Sequence, residues 1–96
     1  MTIESFEESI KNNTPPDVLV HLKALWYDAK GDWQKAHHFV DSLNGKTAAA
    51  VHAYLHRVEG DNRNANYWYS RVGRVMPDTS LKEEWKSLAE ELLNVE

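Results

Sequence analysis

The 96-residue sequence predicts an all-α protein of about five helices, and three observations carry that expectation. Apolar residues recur at intervals of three and four along most of the chain, the spacing that lines one face of a helix. Gly, Pro and Asn-Gly signals cut the chain into segments of helical length. Only ten residues are Val or Ile, and no stretch alternates with period two for long enough to make a strand.

Each element follows from its own residues. Ile3, Phe6 and Ile10 fall at i, i+3 and i+7 and define a short amphipathic helix, which Asn12-Asn13-Thr14-Pro15-Pro16 ends. Thr14 is placed to cap the next helix, with Pro15 in its first turn, where a missing N–H does no harm. That helix runs to about Lys30 with Val18, Leu22, Leu25, Trp26 and Ala29 on one stripe, and Gly31 stops it. Asp32 caps a segment through about Leu43, closed by Asn44-Gly45. Thr47 opens a third long segment, with Ala48, Val51, Ala53 and Leu55, that ends at Gly60. Asp61 starts a fourth, through about Met76, and Pro77 ends it. Ser80 with Glu83 makes a capping box before a last helix whose apolar stripe is Leu81, Trp85, Leu88 and Leu92. The expected organisation is one domain: residues 1–14 an N-terminal helix and linker, 15–44 a first hairpin, 46–77 a second, and 79–96 a C-terminal capping helix.

Composition narrows the function classes. Four Trp, four Tyr and two Phe supply enough surface to bury that disorder is excluded for most of the length. No apolar run approaches the ~20 residues a membrane span needs, and no signal-peptide core stands at the start, so a cytoplasmic protein without a membrane partner is expected. Cysteine is absent, which excludes disulfides, thiolate catalysis and Cys-ligated zinc. A net charge of −4 argues against a nucleic-acid binder. That charge is uneven: residues 1–17 and 81–96 each sum to −3, the middle sums to +2, and all four arginines fall between positions 57 and 74.

The sequence also repeats. Ala24, Gly31-Asp32 and Ala36 recur as Ala53, Gly60-Asp61 and Ala65, offset by 29 residues. Gly-Asp joins a helix stop to a helix start, so the chain reverses in a tight αα-hairpin, and the paired alanines let the two helices approach closely. This pattern resembles the tetratricopeptide repeat over roughly residues 18–77. Against that family's pattern Tyr69 and Pro77 of the second unit are also in phase; in the first Tyr27 is, whereas Val40 stands where the family has an aromatic and the closing Pro is missing. The run His52-Ala53-Tyr54-Leu55-His56-Arg57, then Glu59-Gly60-Asp61, Asn64-Ala65, Tyr67-Trp68-Tyr69 and Arg71, resembles a group of small uncharacterised bacterial proteins. These resemblances imply a fold of two stacked tetratricopeptide-like hairpins with N- and C-terminal capping helices, and no activity. Such stacks bind extended peptides or partner helices on one face. Trp85, Leu88 and Leu92 are expected to seal the end of the second hairpin.

Three groups of residues could carry chemistry. His52 and His56 are four apart on one helix and share a face, the spacing of paired metal ligands. Counting back through Asn44-Gly45 brings His38 near the level of His52, with His37 one position away, so a third ligand is conceivable. The pair lacks the intervening Glu of the H-E-x-x-H signature, and in the repeat frame both sit at core positions, so structural histidines are expected and no metal is assigned. Arg57, Arg71 and Arg74 form the second group. Arg binds carboxylate or phosphate bidentately, which suits an acidic peptide or a phosphorylated metabolite; the alternative is structural pairing of Arg57 with Glu59 or Asp61, and of Arg71 with Asp78. In a tetratricopeptide-like hairpin His21, Leu25, Asp28, Tyr54 and Arg57 would face a ligand in the concave groove. The third group is Tyr67-Trp68-Tyr69, too widely spread around a helix to be all core. Tyr69 is assigned to packing and Trp68 to the C-terminal helix or a binding surface.

The expected function is a small helical-repeat module binding a protein or peptide partner, an acidic one or a second copy of itself, in an Arg/aromatic groove. The candidate binding residues are His52, Tyr54, His56, Arg57, Trp68, Arg71 and Arg74. The alternative is an anion-binding or catalytic site built on His52, His56 and Arg57. No catalytic residue, cofactor or metal is assigned.

Overall fold

A computed structural model describes residues 1–95. Among them lie six α-helices and no strand: α1 (Ile3–Ser9), α2 (Val20–Ala29), α3 (Trp33–Asp41), α4 (Lys46–Val58), α5 (Asn62–Arg71) and α6 (Leu81–Val95). The count is six rather than about five, because each of the six segments marked out along the sequence, the short N-terminal one included, forms its own helix. The start of α1 is closed by Thr2, whose Oγ1 accepts from the Ser5 N–H at 3.1 Å.

The two Gly-Asp reversals form as expected and share one hydrogen-bond pattern. The Gly31 and Asp32 N–H groups donate back to the Asp28 and Tyr27 carbonyls, and those of Gly60 and Asp61 to Arg57 and His56. Each satisfies the last carbonyls of its helix in a Schellman motif. Asp32 and Asp61 then accept from the Lys35 and Asn64 N–H groups and start α3 and α5. The capping box also forms, with the Glu83 N–H on Ser80 Oγ at 3.1 Å and the Ser80 N–H on Glu83 Oε1 at 3.2 Å.

Three boundaries differ from expectation. Helix α2 begins at Val20, not at Thr14-Pro15. A residue before proline is pushed out of the α region, so Pro16 denies Pro15 the first helical turn, and Val18 is buried ahead of the helix. Helix α3 ends at Asp41, and Gly45 is the N-cap of α4 rather than the stop of α3. Helix α5 ends at Arg71, not Met76. Gly73, at φ +71°, takes the left-handed conformation that closes a helix, and the Gly73 and Arg74 N–H groups bond the Ser70 and Tyr69 carbonyls. Pro77 lies beyond this stop.

Helix α2 pairs with α3 and α4 with α5, while α3 and α2 both pack on α4. Ala24, Ala36, Ala53 and Ala65 have no exposed surface, as the repeat requires. Helix α6 does not seal the end of the second hairpin. It lies across α2 and α4, with α1 packed against it. Trp85 of α6 stacks on Phe6 of α1, ring centres 5.7 Å apart, and donates its indole N–H to the Leu25 carbonyl of α2 at 2.8 Å. Leu22, Leu25, Val51, Leu55, Trp85, Leu88 and Leu92 thus belong to one core cluster. No described helix is long and apolar enough to cross a membrane.

Candidate functional site

Helices α3, α4 and α5 bring five rings together. On α3, Trp33 and His37 are four residues apart and stack, with centres 4.9 Å apart and planes 13° from parallel. On α4, His52 and His56 repeat that arrangement at 5.2 Å and 11°. Trp68 of α5 extends the second stack, 4.2 Å from His52. The Trp33 indole N–H donates to the Leu55 carbonyl at 2.7 Å and ties the two helices at this point.

Polar atoms meet inside this aromatic block. The Nε2 atoms of His52 and His37 are 2.9 Å apart, so one ring donates and the other accepts. His56 Nδ1 lies 2.7 Å from Glu59 Oε1, a contact in which the imidazole donates. Asp41 Oδ1 stands 3.9 Å from His52 Nε2. His52 is buried, and its pKa falls to about 4, chiefly because burial disfavours the imidazolium. Charge on His37 and His56 adds to that, and Asp41 opposes it. The ring is therefore a neutral imidazole at pH 7.

The histidine across from His52 is His37, not His38, which is exposed. The difference of one position arises because α3 stops at Asp41 and residues 42–45 are not helical, so counting through them as a simple reversal misplaces the register. Trp33, His37 and Asp41 are spaced by four on α3, the same interval as His52 and His56 on α4. That ladder was the signal available in the sequence.

The predicted arginines do not come together. Arg57 donates from Nη1 to Glu84 Oε1 at 2.8 Å and from Nη2 to the Thr79 carbonyl, binding α4 to the start of α6. Glu84, itself buried, also accepts from the Tyr69 hydroxyl through Oε2 at 2.5 Å. Neither Glu59 nor Asp61 is the partner of Arg57. Arg74 lies past the end of α5 and reaches Glu91 at 3.4 Å. Arg71 lies over the rings of Tyr67 and Trp68, 5.8 and 5.3 Å from their centres, and donates to the Tyr67 hydroxyl at 3.1 Å rather than pairing with Asp78.

Tyr54 is buried and donates its hydroxyl to Asp28 Oδ2 at 3.0 Å. Burial pushes the Tyr54 pKa up, and the neighbouring Asp28 carboxylate adds to that; burial likewise raises Asp28. The concave groove expected beside Tyr54 and Arg57 is largely filled by α6. What remains there is a depression of about 590 Å³ bordered by Glu7, Asp28, Tyr54, Lys82, Trp85 and Lys86.

A second opening, of about 380 Å³, lies between the start of α4 and the end of α5 and includes Asp41, Asn44, Lys46, Trp68 and Arg71. One of its walls, Trp68, is the outer plate of the histidine stack. Trp68 therefore packs on α4 and not on the C-terminal helix, while Tyr67, beside it, is 53% exposed. Among models of protein families, curated proteins and solved structures, none matches this chain.

Proposed function

We propose that this chain is a cytoplasmic, tetratricopeptide-like module that binds an acidic protein segment in the cleft between α4 and α5. The observation that carries this reading is the setting of Arg71. Its guanidinium rests on two aromatic faces, at the lip of an opening that Lys46 also lines. No ion pair joins Arg71 to a carboxylate among the described residues. An Arg held over aromatic rings is stiffened before it meets a ligand, so less side-chain freedom is lost on binding, and Trp and Arg are the residue types enriched at binding hot spots. Arg57, held by Glu84 and the Thr79 carbonyl, offers no free fork to an anion, which disfavours the anion site on His52, His56 and Arg57.

The test is an NMR titration of the labelled chain with an oligoglutamate peptide. Binding in the cleft shifts the Trp68 indole, the Arg71 guanidinium and the Lys46 and Asn44 amides. Raising the salt weakens it, since exposed charges are screened over about 8 Å at physiological ionic strength. Arg71→Glu abolishes it and leaves the fold intact, because the side chain is exposed. Shifts confined to Lys82 and Lys86, or unchanged by Arg71→Glu, would refute the cleft.

A further inference from the structure

Three imidazoles meet at one point between α3 and α4, and peptide binding in the cleft uses none of them. One ring nitrogen from each of His37, His52 and His56 lies within 4.8 Å of those of the other two. We propose that His37, His52 and His56 bind a divalent late transition ion of the zinc type, with Glu59 as the carboxylate behind His56.

The donor set selects the class of ion. Three imidazole nitrogens suit zinc, copper or nickel; calcium and magnesium take oxygen ligands. Two of the three nitrogens are close to the spacing such an ion needs, and that of His56, within 4.8 Å of both, has to draw in. Metal–nitrogen bonds of ~2.0–2.1 Å at tetrahedral angles set the nitrogens about 3.3 Å apart. His37 and His52, at 2.9 Å, have only to part by a few tenths of an ångström. His37 is the half-buried member, its ring stacked on Trp33, whereas His52 and His56 are buried and stacked on each other.

Tautomers agree with this role. Glu59 accepts the hydrogen bond of His56 Nδ1–H and so holds the proton on that nitrogen, which leaves Nε2 with its lone pair free for a metal. A carboxylate behind a ligating imidazole is the usual outer support of a zinc site. Without metal, one of the two facing Nε2 atoms carries a proton and donates a hydrogen bond to the lone pair of the other. With metal, both present lone pairs, and the donor ring moves that proton to its own Nδ1, so no proton is lost overall. Asp41, which is exposed and stands one turn beyond His37 on α3, has a carboxylate oxygen 3.9 Å from His52 Nε2 and is the carboxylate on the side of the cleft. A second group, His56, Glu59 and Asp61, is less suitable, because Asp61 already caps α5.

The experiment titrates the full chain, made without a histidine tag and stripped with EDTA, with Co²⁺ and then Zn²⁺. One equivalent of Co²⁺ should develop the visible absorption of a four-coordinate, nitrogen-rich site. One equivalent of Zn²⁺ should displace it and raise the melting temperature. His37→Gln should abolish the cobalt spectrum and weaken Zn²⁺ binding at least tenfold, and Glu59→Gln should weaken it about tenfold or more. His38→Gln, the exposed neighbour, should change neither. Equal loss in His38→Gln overturns the site. So does a wild-type chain with no cobalt absorption at one equivalent, and His37 and His52 are then a metal-free hydrogen-bonded pair. If His37→Gln does not fold by circular dichroism, the NMR ring signals of the wild type decide. Zn²⁺-induced changes at both His52 and His56 support the site, and changes confined to His21, His38 or the N-terminus overturn it.

Discussion

Trp68 lies flat against His52, with ring centres 4.2 Å apart and planes 10° from parallel. The two residues belong to different helices, α5 and α4, so this single contact both joins the second hairpin and shuts water away from one face of a titratable ring. It makes the hairpin sensitive to acid.

The sign follows from proton counting. In the unfolded chain His52 takes a proton below about pH 6.5, whereas in the folded chain it does so only near pH 4. Between those values the unfolded state binds more protons, so stability rises with pH and is lost on acidification. For metal-free protein in EDTA the loss over that window is on the order of 3 kcal/mol, and it levels off below pH 4. His21, whose pKa burial also lowers, acts in the same direction. Urea unfolding at pH 7 and pH 4.5 measures the difference. Trp68→Ala, which opens His52 to water, should lower stability at pH 7 and flatten the slope; an unchanged slope would mean that the indole does not set the pKa of His52.

The Arg57–Glu84 pair should behave as a structural tie. Its side chains are only 16% and 8% exposed, and Glu84 also accepts from Tyr69. Glu84→Ala leaves Arg57 and the Tyr69 hydroxyl without this partner. Breaking a buried pair from one side costs about 3–5 kcal/mol, which in a chain this size lowers the melting temperature by more than about 10 °C. Arg57→Met combined with Glu84→Leu should recover much of that loss. A melting temperature unmoved by Glu84→Ala would return Arg57 to the list of free anion binders.

Ala53 sits at the crossing of α4 and α5, fully buried in a cluster with Ala65 and Tyr69. Ala53→Leu forces extra methylenes into that crossing and should cost about 1–3 kcal/mol. The same change at exposed Ser70 should have little effect on thermal melts, because no core atom has to move.

The reversals at Gly31-Asp32 and Gly60-Asp61 were legible because helix stops and caps are made by residues within a few positions of one another. The start of α2 departs from its expected place for an equally local reason: Pro15 suits a first helical turn by itself, but not when Pro16 follows it. Pro77 marks an end for α5 in the sequence, but Gly73 closes the helix first. The candidate site was half legible. His52 and His56 share a face by spacing alone; the choice of His37 over His38 depends on how residues 42–45 turn, and in the sequence only the Trp33-His37-Asp41 ladder points to it. No short-range pattern reveals that α6 lies across α2 and α4, since the contact of Trp85 with Leu25 spans 60 residues.

That long span has a consequence for how the molecule is made. While a ribosome is still adding residues 59–80, α2 and α4 exist as chain but their shared apolar seam has no cover. The seam stays open until Trp85, Leu88 and Leu92 have emerged. Contacts between distant positions form slowly and leave sticky surface exposed in the interval. A nascent chain stalled before residue 81 should therefore present Leu22, Leu25 and Leu55 to a holding chaperone. Release from that chaperone would coincide with the arrival of the final helix.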